Sequence, residues 1–343
     1  MASTTVISGT AARWNDLATR NQLVGFGDFT LRGAGQVMFQ NNPVTGLLFL
    51  LGITWGAFAE HLPQVAIGAW LAVIVSSLTA VVLRLDKVSM RSGLYGYNGV
   101  LVGCAVPTFL HNDATMWVWV VIGSIASVIV MLAVTNVVEA WGVSALTFPF
   151  VLTSWFLLLS AYAFANTPVT GIGPAAFAQQ ASATAAQANW TISAVLEAIF
   201  AGVSQVFLIN NAITGIIFVI ALVASSSWAG GFALFGSAVA LVFTQLVGAN
   251  GSNVEAGLFA FSAVLTAIAL GSVFYEPSWP VLIYTTFGVI FTVIVQAAMD
   301  MLLVPLGIPT LTAPFVFATW LFLLPKLDLT RSRRATVTTQ AAS

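Results

Sequence analysis

The sequence predicts an all-α, polytopic membrane protein made of two inverted five-span repeats, each with a re-entrant half-helix. Three observations predict it. Hydrophobic residues make up 59% of the 343-residue chain and charged residues only 6%, against roughly a quarter charged in soluble domains. So few charges cannot shield that much apolar surface from water, and lipid must cover the remainder. The ten Lys and Arg are confined to Arg13, Arg20 and Arg32, to Arg84, Lys87 and Arg91, and to Lys326, Arg331, Arg333 and Arg334. No basic residue lies between Arg91 and Lys326, which excludes the basic face that nucleic-acid binding needs. The third observation is that the chain repeats itself.

Gln36-Val37-Met38-Phe39 and Asn41-Asn42-Pro43-Val44-Thr45-Gly46 recur 169 positions later as Gln205-Val206-Phe207-Leu208 and Asn210-Asn211-Ala212-Ile213-Thr214-Gly215. Gly93-Leu94-Tyr95-Gly96-Tyr97-Asn98 recurs 164 positions later as Gly257-Leu258-Phe259-Ala260-Phe261-Ser262. Leu146-Thr147-Phe148-Pro149-Phe150, followed by Trp155, recurs 165 positions later as Leu311-Thr312-Ala313-Pro314-Phe315, followed by Trp320. Three ordered matches at nearly one offset define two copies of one unit.

The first copy has apolar segments near 22–42, 44–60, 64–84, 93–106, 115–138 and 143–163, and the second near 196–211, 213–228, 231–247, 257–271, 279–301 and 308–324. A full span needs about 17–25 apolar residues. Segment 93–106 is too short, starts after a candidate N-cap at Ser92 and ends at Pro107, so it is expected to be a half-spanning helix. Five spans per copy is an odd number, so the copies are expected to sit upside down relative to each other, with the site at their interface near the midplane. The expected division is a cytoplasmic segment 1–21, a first membrane repeat 22–163, a linker 164–195, a second repeat 196–325 and a polar tail 326–343. Residues 1–22 lack the layout of a signal peptide. Seven of the ten basic residues lie within the first 32 and the last 18 residues, so both ends are expected to be cytoplasmic, with Arg84, Lys87 and Arg91 running against that rule.

The repeated motifs place uncharged hydrogen-bonding groups in apolar surroundings: Gln36 with Gln205, and Thr147 with Thr312. Polar groups at membrane depth are costly unless they are paired or line a cavity, so a mirrored uncharged set suits a neutral polar permeant. Pro149 and Pro314, two residues after the threonines, are expected to free backbone carbonyls there. Tyr97 and Leu101 share a helix face, as do Phe261 and Leu265, and Phe39 lies on the face of Gln36. Facing rings would make a slot for a planar molecule, although the same spacings also fit core packing. Lone Cys104 excludes an intrachain disulfide, and neither a metal site nor a nucleophile–base set can be assembled, so neither an enzyme nor a cofactor is expected.

On these motifs, over about residues 30–325, the chain resembles the urea transporter family. The resemblance implies passive urea transport across the cell (inner) membrane by a homotrimer whose protomers each hold a pore and face membrane lipid. It implies slots around Gln36, Phe39, Tyr97 and Leu101 and around Gln205, Val206, Phe261 and Leu265, with Leu208 in the place of Phe39. Thr147 and Thr312 would mark the midpoint. Ala260, Ser262, Leu208 and Ala212 depart from the first copy's residues. An ammonium channel would line its pore with histidines, but His61 and His111 fall in expected loops. A water channel would carry Asn-Pro-Ala twice, whereas Asn42-Pro43-Val44 and Asn211-Ala212-Ile213 stand here. A proton-coupled transporter needs buried ionisable relays, for which only Glu139 and Asp300 are candidates, both placed near span ends.

Overall fold

A computed structural model describes residues 14–170 and 188–329. Most of the linker and of the tail expected from the sequence, and residues 1–13, lie outside the described residues. Within them residues 14–20 are helical, and the helices of the first series are α1 Gln22–Gln36, α2 Pro43–Ala59, α3 Pro63–Val82, α4 Lys87–Arg91, α5 Tyr97–Phe109, α6 Ala114–Glu139 and α7 Phe148–Ala161. They are followed by α8 Ile192–Ser204, α9 Ala212–Ser225, α10 Ser227–Leu246, α11 Gly251–Glu255, α12 Phe261–Ile268, α13 Trp279–Leu303 and α14 Ala313–Leu323. The second seven helices repeat the first seven in order. No strand forms among the described residues; extended pairing is limited to an isolated bridge between Leu110 and Val169.

The same local chemistry starts the helices in both series. The Asn42 side chain accepts from the amides of Val44 and Thr45, and Asn211 from that of Thr214. Asp113 caps α6 and Ser278 caps α13. Asp86 caps α4 and Asn250 caps α11. Each side-chain oxygen takes up an amide that the first turn leaves unpaired. The repeated asparagines are thus helix starts. Ser92 is the C-cap of α4, and α5 begins later, after Gly96, with no side-chain cap. Pro107 sits inside α5, which continues to Phe109.

Pro63–Val82, Ala114–Glu139, Ser227–Leu246 and Trp279–Leu306 are individually long and apolar enough to cross a membrane. A further candidate is the pair Ile192–Phe207 and Ala212–Ser225, bent by 75° at its break. The other apolar segments fold as shorter helices joined to buried, non-helical chain. The segment expected as a continuous span over 143–163 becomes helical only at Phe148, and its counterpart α14 has 11 residues, about 17 Å at 1.5 Å per residue. Irregular chain at membrane depth is tolerated where protein buries it.

Helix α5 is the centre of the first series. Its residues Tyr97 to Pro107 are all buried, and it packs on α3, α6 and α7. Helix α12 holds the same place against α10, α13 and α14. The two series meet mainly along α2 and α9. There Thr45 donates its hydroxyl to the Ala221 carbonyl at 2.9 Å, and Thr214 donates to that of Gly52 at 3.2 Å. Phe49 and Phe218 stack edge to face at 5.1 Å between centroids, worth about 0.5–1.5 kcal/mol beyond area burial.

Trp14 and Asn15 are latched onto α1. Asp28 accepts from the Trp14 indole at 2.6 Å and from the Arg32 guanidinium at 2.7 Å, while Arg32 also reaches Asn15 and Asn41. Asp28→Ala is expected to cost ~1.5–3 kcal/mol through two charged hydrogen bonds. The check is a lower midpoint of thermal unfolding in detergent, with Trp14→Phe giving a smaller loss in the same direction.

Candidate permeation site

Four hydrophobic residues adopt left-handed backbone at equivalent places in the two series: Phe39 (φ 63°) with Leu208 (φ 59°), and Leu146 (φ 50°) with Leu311 (φ 51°). Non-glycine residues held there cost on the order of 1–3 kcal/mol each and persist only where the surroundings enforce them. Phe39 and Leu208 end the chain segments that follow α1 and α8, and Leu146 and Leu311 stand directly before Thr147 and Thr312. His61, Arg84 and Lys326 share this backbone elsewhere, so four of the seven such residues among those described lie at or beside the residues that the sequence singles out.

Thr147 and Thr312 meet. Their hydroxyls are 2.6 Å apart, and the two residues are 3% and 2% exposed. Around them the contacts are reciprocal: the Trp155 indole donates to the Pro309 carbonyl at 2.9 Å, and the Trp320 indole donates to that of Ser144 at 2.8 Å. Together with the paired threonines and phenylalanines of α2 and α9, these are the contacts of an isologous interface, in which each residue meets its counterpart's partner.

The threonines are not in kinked helices. Thr147 and Thr312 are the N-caps of α7 and α14, and Pro149 and Pro314 lie in the first turn. Proline loses no helical hydrogen bond there, because first-turn amides have no helical partner. The freed carbonyls expected from the sequence are largely engaged. Those of Thr147 and Thr312 accept from Val151 and Val316, each at 3.1 Å. Tyr97 donates its hydroxyl to the Leu146 carbonyl at 2.6 Å. At the equivalent place Phe261 has no hydroxyl to give, so the Leu311 carbonyl is left without that bond.

The glutamines are oriented alike. Gln36 donates its amide to the Ser92 carbonyl at 2.8 Å and Gln205 to that of Ala256 at 3.0 Å. Each glutamine thus ties α1 or α8 to the chain leading into the half-helix, and its own carbonyl remains as an acceptor.

A cavity of about 970 Å3 opens beside the threonine pair. Among the residues expected at the site, Gln205, Val206, Leu208, Phe261 and Thr312 line it. Leu265 is fully buried and not part of the wall. Gln36, Phe39, Tyr97, Leu101 and Thr147 are not in its wall. Phe39 instead lies edge to face against Phe274 and Phe315, each at 6.1 Å, and Leu101 is fully buried.

The cavity wall also contains Phe150, Phe243, Gln296, Asp300, Thr310 and Leu311, which the repeat motifs do not mark as pore residues. Phe150 carried a signal as the last residue of the Leu-Thr-x-Pro-Phe motif. Gln296 carried none and Asp300 stood out only as an ionisable residue near a span end, because the repeat has Met131 and Thr135 at those places. Asp300 is not at a solvated helix end, as Glu139 is, but half-buried in the last turn of α13 with Gln296 donating to it at 3.0 Å. His61 and His111 lie outside the helices, as expected, with His111 3.8 Å from Asp113.

Comparison with known proteins gives the arrangement its relatives. The profile described as "Urea transporter" matches residues 28–327. "Urea transporter 1" of Ovis aries is 29% identical over 320 residues, covering 91% of this chain and 80% of that protein. The Mus musculus protein of the same name is 28% identical over the same shares of each chain. The repeated motifs, the membrane-length apolar helices and a match over most of the chain agree: this protein belongs to the urea transporter family.

Proposed function

We propose that this chain conducts urea passively, as a channel, across the cell (inner) membrane. One observation carries the reading. An uncharged threonine pair, on the interface between two copies of one unit, stands at the edge of a cavity whose wall combines rings with amide and carbonyl oxygens. Urea is planar and offers two amino groups, so it needs acceptors and flat apolar walls more than charges. Gln205, Val206, Leu208, Phe261 and Leu265 form the slot of the second repeat. Gln36, Phe39, Tyr97 and Leu101 form that of the first, and Thr147 with Thr312 forms the midpoint between them.

The repeats 22–163 and 196–325 are the two halves of this pore, joined by 164–195 and flanked by 1–21 and 326–343. They are inverted across the membrane plane, a reading that the reciprocal contacts support, because an odd number of crossings per half requires it. Both termini are cytoplasmic, and three protomers assemble in the lipid as in the family. Passive conduction follows from the lack of any basic residue between Arg91 and Lys326, which leaves no buried ion-pair relay in the second half.

Purified protein in liposomes, read by stopped-flow light scattering, tests the proposal. Urea entry should far exceed that of protein-free liposomes and should be unchanged when ionophores collapse the membrane potential and the proton gradient. Entry that stops on collapse would identify a coupled transporter instead.

A further inference from the structure

The cavity wall holds a polar cluster that only one repeat possesses. Gln296 is 2% exposed and donates its amide to Asp300 at 3.0 Å and to the Thr310 hydroxyl at 2.7 Å. Its own carbonyl oxygen accepts from Ser262 at 3.2 Å. Every polar atom of this glutamine is thus used to hold the other groups in place. In the first repeat Met131, Thr135 and Ala145 stand where Gln296, Asp300 and Thr310 are, so the fold does not require the cluster.

Asp300 is also placed against local electrostatics. It lies in the last turn of α13, where no basic side chain accompanies it and where the helix dipole disfavours a negative charge. Among the described residues no Lys or Arg lines the cavity, and none lies between Arg91 and Lys326 in the chain. Gln296 offers it an amide, not a charge. A carboxylate in a largely apolar wall without a counter-charge is a strong acceptor for a charged N–H donor.

We infer that Asp300, held by Gln296 and supported by Thr310, is a binding subsite for small planar cations of the guanidinium class in the vestibule of the second repeat. Such a cation has the flat shape and N–H edges of urea and adds the positive counter-charge that the carboxylate lacks, so it binds there and obstructs the cavity. The obstruction rests on the reading of this cavity as the mouth of a urea pore; the binding does not.

The test uses the full chain at a pH of about 8, well above the ordinary carboxylate range. Guanidinium chloride at low millimolar concentration is the probe, and tetramethylammonium chloride, which has no N–H, is the control at equal ionic strength. Calorimetry in detergent reads binding, and stopped-flow liposomes read the ratio of urea flux with and without the probe. Guanidinium should bind the wild type and lower its flux, and tetramethylammonium should do neither. Asp300→Asn should weaken binding roughly 10- to 150-fold, as expected for a lost charged hydrogen bond, while Asp300→Glu should retain most of it.

Equal binding by wild type and Asp300→Asn, both eluting as folded protein, overturns the subsite, as does equal block by tetramethylammonium. Should Asp300→Asn not fold, no loss of binding in Gln296→Met, which installs the first repeat's residue, would overturn it. Binding without any wild-type urea flux would sink the urea reading and leave the subsite standing.

Discussion

Replacing Thr147 or Thr312 with valine should slow urea conduction roughly 5- to 150-fold, the factor that corresponds to ~1–3 kcal/mol for one missing hydrogen bond in a dry site. Valine keeps the shape of threonine and removes the hydroxyl. Because the two hydroxyls bond each other at 2.6 Å, stability and flux should separate across the series. Either single change leaves a buried hydroxyl unpartnered and should destabilise the protein. The double change replaces both partners by apolar groups, which can be nearly neutral for stability, yet it removes both acceptors from the midpoint. The double variant should therefore unfold close to the wild-type temperature and conduct least of all. Thermal unfolding in detergent and stopped-flow urea entry provide the two readouts. Wild-type flux in a folded double variant would show that the pair only joins the two repeats.

Gly93→Ala and Gly257→Ala should each prevent or badly weaken folding. Both glycines have left-handed backbone, φ 76° and φ 71°, which costs an L-residue about 1–2 kcal/mol. Both also lie against backbone of the neighbouring helix. A methyl group on Gly93 would meet the amide nitrogen of Gly33 and come within 2.6 Å of the Arg32 carbonyl carbon. One on Gly257 would meet the amide nitrogen of Gly202 and come within 2.7 Å of its Cα. Backbone cannot step aside as a side chain can, and overpacking adds ~1–3 kcal/mol. The half-helix starting at Tyr97 or Phe261 is seated by this contact, so the slots should suffer with the fold. The expected result is a large loss of monodisperse protein in detergent and a fall in unfolding temperature for either variant. Normal elution and unfolding of Gly257→Ala would remove the contact from the account of how the half-helix is placed.

Much of the architecture was legible because it is written in local chemistry. The apolar excess determined the solvent. The three recurring motifs determined that two copies exist, since each motif holds a helix start, a strained turn or a close backbone approach that the unit needs twice. Asn42 and Asn211 illustrate this: both cap the helix that follows. Local signals misplaced some ends. Ser92 suits an N-cap, but it closes α4, because the turn through Gly93 to Gly96 must first pass the backbone of α1. Pro149 and Pro314 suggested broken helices, but a proline in the first turn breaks nothing.

The partners of the polar groups were decided only by the tertiary structure. Thr147 and Thr312 are 165 residues apart, and Trp155 and Trp320 find carbonyls in the opposite repeat. Helical periodicity tells which residues share a face but not which face meets which. Spacing marked the Tyr97 ring as a slot group, and only packing gave its hydroxyl to the Leu146 carbonyl, while Phe261 leaves the matching carbonyl of Leu311 without that bond. Asp300 looked like a span end, and only the packing of α13 against the cavity turned it inward beside Gln296. The composition and the internal repeat by themselves determined a two-copy, all-helical membrane protein with an uncharged repeated motif set. Which of those groups face each other, and which face open space, was left to packing, because hydrogen-bond geometry is short-ranged and the residues that satisfy it lie far apart in the chain.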